Sequence, residues 1–121
     1  MADQTSRKVL IVDDDPAVRQ LLRLILEVGD FDVVGEASDG VEAVPQAVAH
    51  QPDFIVLDQQ MPNRGGEEAA PLIRSICPDA LIIAFSAVID KKPLWADAFL
   101  EKHHIGDVGP LVEGLIDLRA H

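Results

Sequence analysis

Residues 8–12, Lys-Val-Leu-Ile-Val, form an apolar run between Arg7 and the triplet Asp13-Asp14-Asp15, the pattern of a strand buried on both faces. Asp15 followed by Pro16 has the chemistry of a helix cap and first helical residue. Val18, Leu21, Leu22, Ile25 and Leu26 then keep a helical period until Gly29 closes it. The alternation recurs. A strand is expected over 31–37, a helix from Ser38-Asp39-Gly40 to about 49, and a strand over 53–57 ended by Asp58. A loop over 59–66 carries Met61-Pro62 and Gly65-Gly66, followed by a helix over 67–77, a strand over 81–85, a short strand over 98–100 and a last helix over 108–118. Strands separated by helix-length intervals imply crossover units, hence an α/β fold with a doubly wound five-stranded parallel sheet. Pro45 and Pro71 fall inside the second and third helices, where each removes a hydrogen bond and is expected to introduce a kink.

At 121 residues the chain has the size of one domain, its core over about 7–118, and 48% apolar residues make it globular. No apolar run approaches the ~18 residues of a membrane span, and no secretory signal follows MADQTSRK. With Cys77 the only cysteine, these features suit a cytoplasmic protein. Cys77, beside Pro78 and without nearby His or Asp at ligand spacing, is expected to be a small hydrophobe. The formal charge of −11, from 21 acidic and 10 basic residues, repels polyanions and argues against direct nucleic-acid binding. It suits a metal, or a partner with a basic face.

In an open parallel sheet the functional crevice lies at the carboxyl ends of the strands. Asp13, Asp14 and Asp15 follow the first strand, Asp58 the third, Ser86 the fourth and Lys102 the fifth. Carboxylates gathered in one crevice repel one another, and a divalent cation relieves that penalty. Mg²⁺, or Mn²⁺ in its place, suits hard oxygen ligands, whereas no clustered Cys/His set is present for zinc. Asp58 can act as a nucleophile towards phosphorus, with Lys102, the metal and the Ser86 hydroxyl receiving the phosphoryl oxygens.

These residues stand in four stretches, VLIVDDDP at 9–16, PDFIVLDQQMP at 52–62, IIAFSA at 82–87 and ADAFLEK at 96–102. In that order they resemble the signatures of the receiver domain of two-component response regulators. The resemblance implies the flavodoxin-like strand order 2-1-3-4-5. It also implies a phosphoacceptor switch in which Asp58 takes a phosphoryl group from a sensor histidine kinase or phosphotransfer protein. By the same resemblance Asp14 is a direct Mg²⁺ ligand, Asp13 a ligand often acting through water, Asp58 a ligand as well as the acceptor, and Gln60 contributes its backbone carbonyl. Lys102 contacts the phosphoryl group, Ser86 moves towards it and Phe99 rotates with the switch. Enzymatic activity beyond self-phosphorylation and self-dephosphorylation is not implied. Gln60 and Val88 flank the path of attacking water, and Val88 cannot orient it, which implies slow self-dephosphorylation.

The chain departs from the family between Ser86 and Lys102, where 15 residues stand in place of about 20 or more. Pro93 limits any helix there, so the fourth helix is expected to be shortened or absent. This face ordinarily meets output domains, downstream proteins or a second receiver. Leu94, Trp95 and Phe99 then either fill the vacated space or offer a partner surface. His103-His104 are expected to point in different directions, as exposed loop residues that make a poor metal site and carry weak pH sensitivity. Residues 31–40 also resemble a subfamily that often carries a helix-turn-helix output, so the downstream element is either another protein or an output domain of the same polypeptide. Two other readings stay open: a degenerate receiver that binds partners without phosphorylation, and a Mg²⁺-dependent phosphatase using the Asp13-x-Asp15 pattern. A nucleotide fold lacks its glycine motif after the first strand.

Overall fold

A computed structural model describes residues 7–61, 65–87 and 92–120. The chain runs β1 (Lys8–Val12), α1 (Pro16–Val28), β2 (Asp32–Ala37), α2 (Gly40–His50), β3 (Phe54–Asp58), α3 (Gly66–Ile76), β4 (Leu81–Ser86), β5 (Ala98–Glu101), a 3-10 stretch (Lys102–Asp107) and α4 (Val108–Ala120). All strand pairs are parallel, in the order β2-β1-β3-β4-β5. Val9, Leu10, Ile11 and Val12 are wholly buried, as the uninterrupted apolar run requires.

Successive side chains leave a strand on opposite faces, so each run feeds two cores. Val9, Ile11, Phe54, Val56, Ile83 and Phe85 pack with Leu22 and Leu26 of α1 and Val108 and Val112 of α4. Leu10, Val12, Ile55, Leu57 and Ile82 pack with Ala43 and Ala47 of α2 and Ala69, Ala70 and Ile73 of α3. Cys77 belongs to this second core, where burial and then the charge of Asp53 push its thiol above the usual range, leaving it unreactive.

Both α2 and α3 continue through their prolines. Pro45 and Pro71 lie on exposed helix faces, as do Val41 and Glu67, whose carbonyls lose the i+4 donor. Water can satisfy those carbonyls, which keeps the penalty small enough for core packing to override. Between β4 and β5, residues 88–91 lie outside the described residues. Among residues 92–97 there is no helix, only a turn closed by Ala96 N–H donating to Pro93 O at 3.1 Å. The segment is tied down from both sides. Arg74 of α3 donates to Trp95 O at 2.9 Å and to Asp97 Oδ2 at 3.0 Å, and Lys92 Nζ donates to Ala96 O at 2.8 Å.

Candidate functional site

Strand register brings the four polar strand ends together. Val12 pairs with Leu57, Asp58 with Phe85 and Ser86 with Glu101, so Asp13, Asp58, Ser86 and Lys102 share one rim of the sheet. Two further bonds extend the ladder across that rim: Asp13 N–H donates to Ala37 O and Gln59 N–H to Phe85 O, both at 3.0 Å.

Asp13 is 0% exposed, Asp58 3% and Ser86 3%. Asp13 Oδ1 accepts from Asp15 N–H at 2.9 Å, while Asp58 Oδ1 accepts from Gln60 N–H at 3.2 Å. Lys102 Nζ lies 2.8 Å from Asp13 Oδ2 and 3.2 Å from Asp58 Oδ2. It also rests 5.6 Å from the centre of the Phe85 ring. One ammonium therefore bridges two buried carboxylates. Burial draws the Lys102 pKa down, but the hydrogen bonds and charges of Asp13 and Asp58 outweigh it and hold the group above its ordinary value, so it stays charged.

Asp58 is pushed the other way. Burial first, and the Asp13 charge second, raise its pKa to about 6, against the pull of the Gln60 N–H and Lys102. One ammonium does not neutralise this crevice. Asp14, which is exposed, brings a third carboxylate, and oxygens of Asp13, Asp14 and Asp58 lie within 4.8 Å of one another. Asp13 Oδ2 is buried against the Lys102 ammonium, 2.8 Å away. Three hard carboxylate oxygens converging on one crevice are the donor set a magnesium ion takes. The residues fit that ion. Asp15 stands apart as the helix cap, accepting from Ala17 N–H at 2.9 Å.

Phe99 is half-buried on β5 beside Ala84, and Trp95 is half-buried against the second core, whereas Leu94 is fully exposed. Trp95 sits directly over the start of α3. A Cβ on Gly66 would lie 2.6 Å from Cη2 and Cζ2 of its ring and 3.2 Å from the Asp58 carbonyl oxygen. Val88 and Pro62 lie outside the described residues. Sequence reading missed Arg19, whose guanidinium donates to the Asp13 carbonyl at 2.6 Å and pairs with Glu36 at 3.1 Å. A contact from α1 back onto the β1 loop leaves no periodic signal by which to find it.

The model of the response regulator receiver domain matches residues 9–102. The chain belongs to this family. This receiver is 39% identical over 113 residues to the transcriptional regulatory protein PdtaR of Mycobacterium tuberculosis, an alignment covering 88% of this chain and 55% of that protein. It thus spans about half the length of that relative. Among solved structures it resembles the response regulator domain of Thermotoga maritima CheB, with TM-score 0.79, 31% identity, and 93% and 95% of the two chains covered. It also resembles the response regulator TrrA of Thermotoga maritima, solved with Mg²⁺-BeF, with TM-score 0.80, 30% identity, and 90% and 98% covered. The family places the chain in two-component signalling, and the strand order is the one the family resemblance implied. No described helix is long and apolar enough to cross a membrane.

Proposed function

We propose that this receiver takes a phosphoryl group on Asp58 from the phosphohistidine of a sensor kinase or phosphotransfer protein. In this reading it signals by protein contact, to a separate target or to an output domain of a longer polypeptide. The observation that carries the reading is the Lys102 ammonium bridging Asp13 and Asp58 inside a crevice of buried carboxylates. Asp58 Oδ attacks phosphorus, a P–O bond to the carboxylate forms, and the donor's bond to phosphorus breaks with its electron pair leaving on the donor. Lys102 meets the charge that builds on the phosphoryl oxygens, and the Ser86 hydroxyl lies on the same rim to donate to one of them.

Asp13, Asp14 and Asp58, with the Gln60 carbonyl, would hold Mg²⁺, which supplies charge neutralisation of the phosphoryl group. The added ~1.5 to 2 negative charges draw Ser86 and Lys102 towards Asp58, and the packing around Phe99 adjusts to the space they leave. Leu94, fully exposed in the turn described between β4 and β5, marks the face from which the change is read, whether by a target or by a second receiver.

Intact-mass measurement after incubation with acetyl phosphate and Mg²⁺ tests this. Wild type should gain one phosphoryl group and Asp58→Asn none. No gain in wild type across several small donors, with the protein folded, would leave a receiver that binds without phosphorylation.

A further inference from the structure

A second cluster lies on the other side of Lys102. Glu101 is the last residue of β5, its side chain 23% exposed, and Ser86 flanks it in register. Immediately after Lys102 the chain enters the 3-10 stretch, in which His104 leaves helical geometry at φ −106°, ψ 30°. That turn overrides the expectation that adjacent histidines diverge. The two imidazoles lie with centres 4.3 Å apart and planes inclined by 49°. Both face the same carboxylate oxygen: His103 Nε2 is 2.8 Å and His104 Nδ1 3.4 Å from Glu101 Oε1. One ligand atom from each of the three residues falls within 4.8 Å of the others.

We infer that Glu101, His103 and His104 form a site for a borderline-soft divalent metal, of which zinc is the representative. Two ligands each ~2.0–2.1 Å from zinc stand ~3.3 Å apart at a tetrahedral angle, and the two Glu101 contacts bracket that spacing. Two nitrogens and one carboxylate are also the wrong set for Mg²⁺, which takes oxygens, so the two clusters divide metals by hardness. The histidines are exposed, which leaves the remaining coordination positions to water. An occupied site joins the residues on both sides of Lys102 and so fixes the backbone from which its ammonium reaches Asp13 and Asp58. The inference stands on the Glu101 geometry and does not depend on phosphorylation of Asp58.

Zinc titration by calorimetry, in buffer holding a large excess of Mg²⁺ over the oxygen-rich crevice, tests it. Wild type should take up one equivalent with a micromolar dissociation constant. His103→Ala, His104→Ala and Glu101→Gln should each weaken it about tenfold or more. These side chains are at the surface or half-exposed, so circular dichroism should show the variants folded. In imidazole-detected NMR, zinc should move the His103 and His104 resonances and leave His50 in place. Absence of saturable uptake by wild type overturns the assignment, as does uptake that survives in the His103→Ala/His104→Ala double variant.

Discussion

Asp58 is 3% exposed beside a wholly buried Asp13, and its pKa of about 6, against 3.8 for a free aspartate, measures what that placement costs. At neutral pH the difference corresponds to ~3 kcal/mol of electrostatic and desolvation strain in the metal-free protein. The direction of the pH dependence follows from the raised value. Between about pH 4 and pH 6 the folded protein keeps a proton on Asp58 that the unfolded chain has released. The stabilising contribution of the neutral carboxyl is therefore complete below 3.8 and lost as the pH climbs through about 6. In chelator at pH 7, Asp58→Asn should raise the unfolding free energy by ~1–3 kcal/mol. The gain should vanish below about pH 4. Urea denaturation at the two pH values measures this, and an Asn variant no more stable than wild type at pH 7 would contradict it.

The junction of β3 with α3 makes the same economy of space at the level of elements. Asp58 ends the strand, and after the loop α3 begins at Gly66 with the Trp95 ring lying over it. In place of a fourth helix, one indole and the Arg74 contacts to Trp95 and Asp97 close this side of the sheet among the described residues. Gly66→Ala drives a methyl to 2.6 Å from the ring and 3.2 Å from the Asp58 carbonyl. The ring can shift but the strand backbone cannot, so the variant should lose ~1–3 kcal/mol. Trp95 is the only tryptophan in the chain, so its emission should also move to the red as the ring is pushed into water. Unchanged emission together with unchanged stability would show that the indole does not hold this position.

Over the whole molecule, 21 acidic residues face 10 basic ones, and the excess negative charge opposes compaction. Screening relieves that generally, whereas an ion in the crevice relieves it at one point. A Mg²⁺ ion held by the native crevice and not by the unfolded chain should add ~2.7 kcal/mol at ~100 times its dissociation constant. For a chain of this size that is a rise of roughly 10 °C in Tm. Sodium chloride at matched ionic strength should give a smaller rise, and Asp13→Asn should remove most of the difference. Equal shifts from the two salts would mean that Mg²⁺ acts here only by screening.

What was legible in the sequence was whatever is written in local periodicity. Fully buried strands declare themselves as apolar runs, Asp15-Pro16 declares a helix start, and a carboxylate at the end of such a run stands at the crevice of any parallel sheet. That placed Asp13, Asp58, Ser86 and Lys102 on one rim before any distance was known. The 3-10 stretch after Lys102, the convergence of His103 and His104 on Glu101, the Trp95 ring over Gly66 and the Arg19 clamp on Asp13 were not legible. Each depends on how a short non-periodic segment turns, or on a contact between elements far apart in the chain. Periodicity determines which residues form a strand and which of its faces are buried. Only the packed structure decides which side chain covers the start of α3, and which pair of exposed imidazoles comes to share a carboxylate.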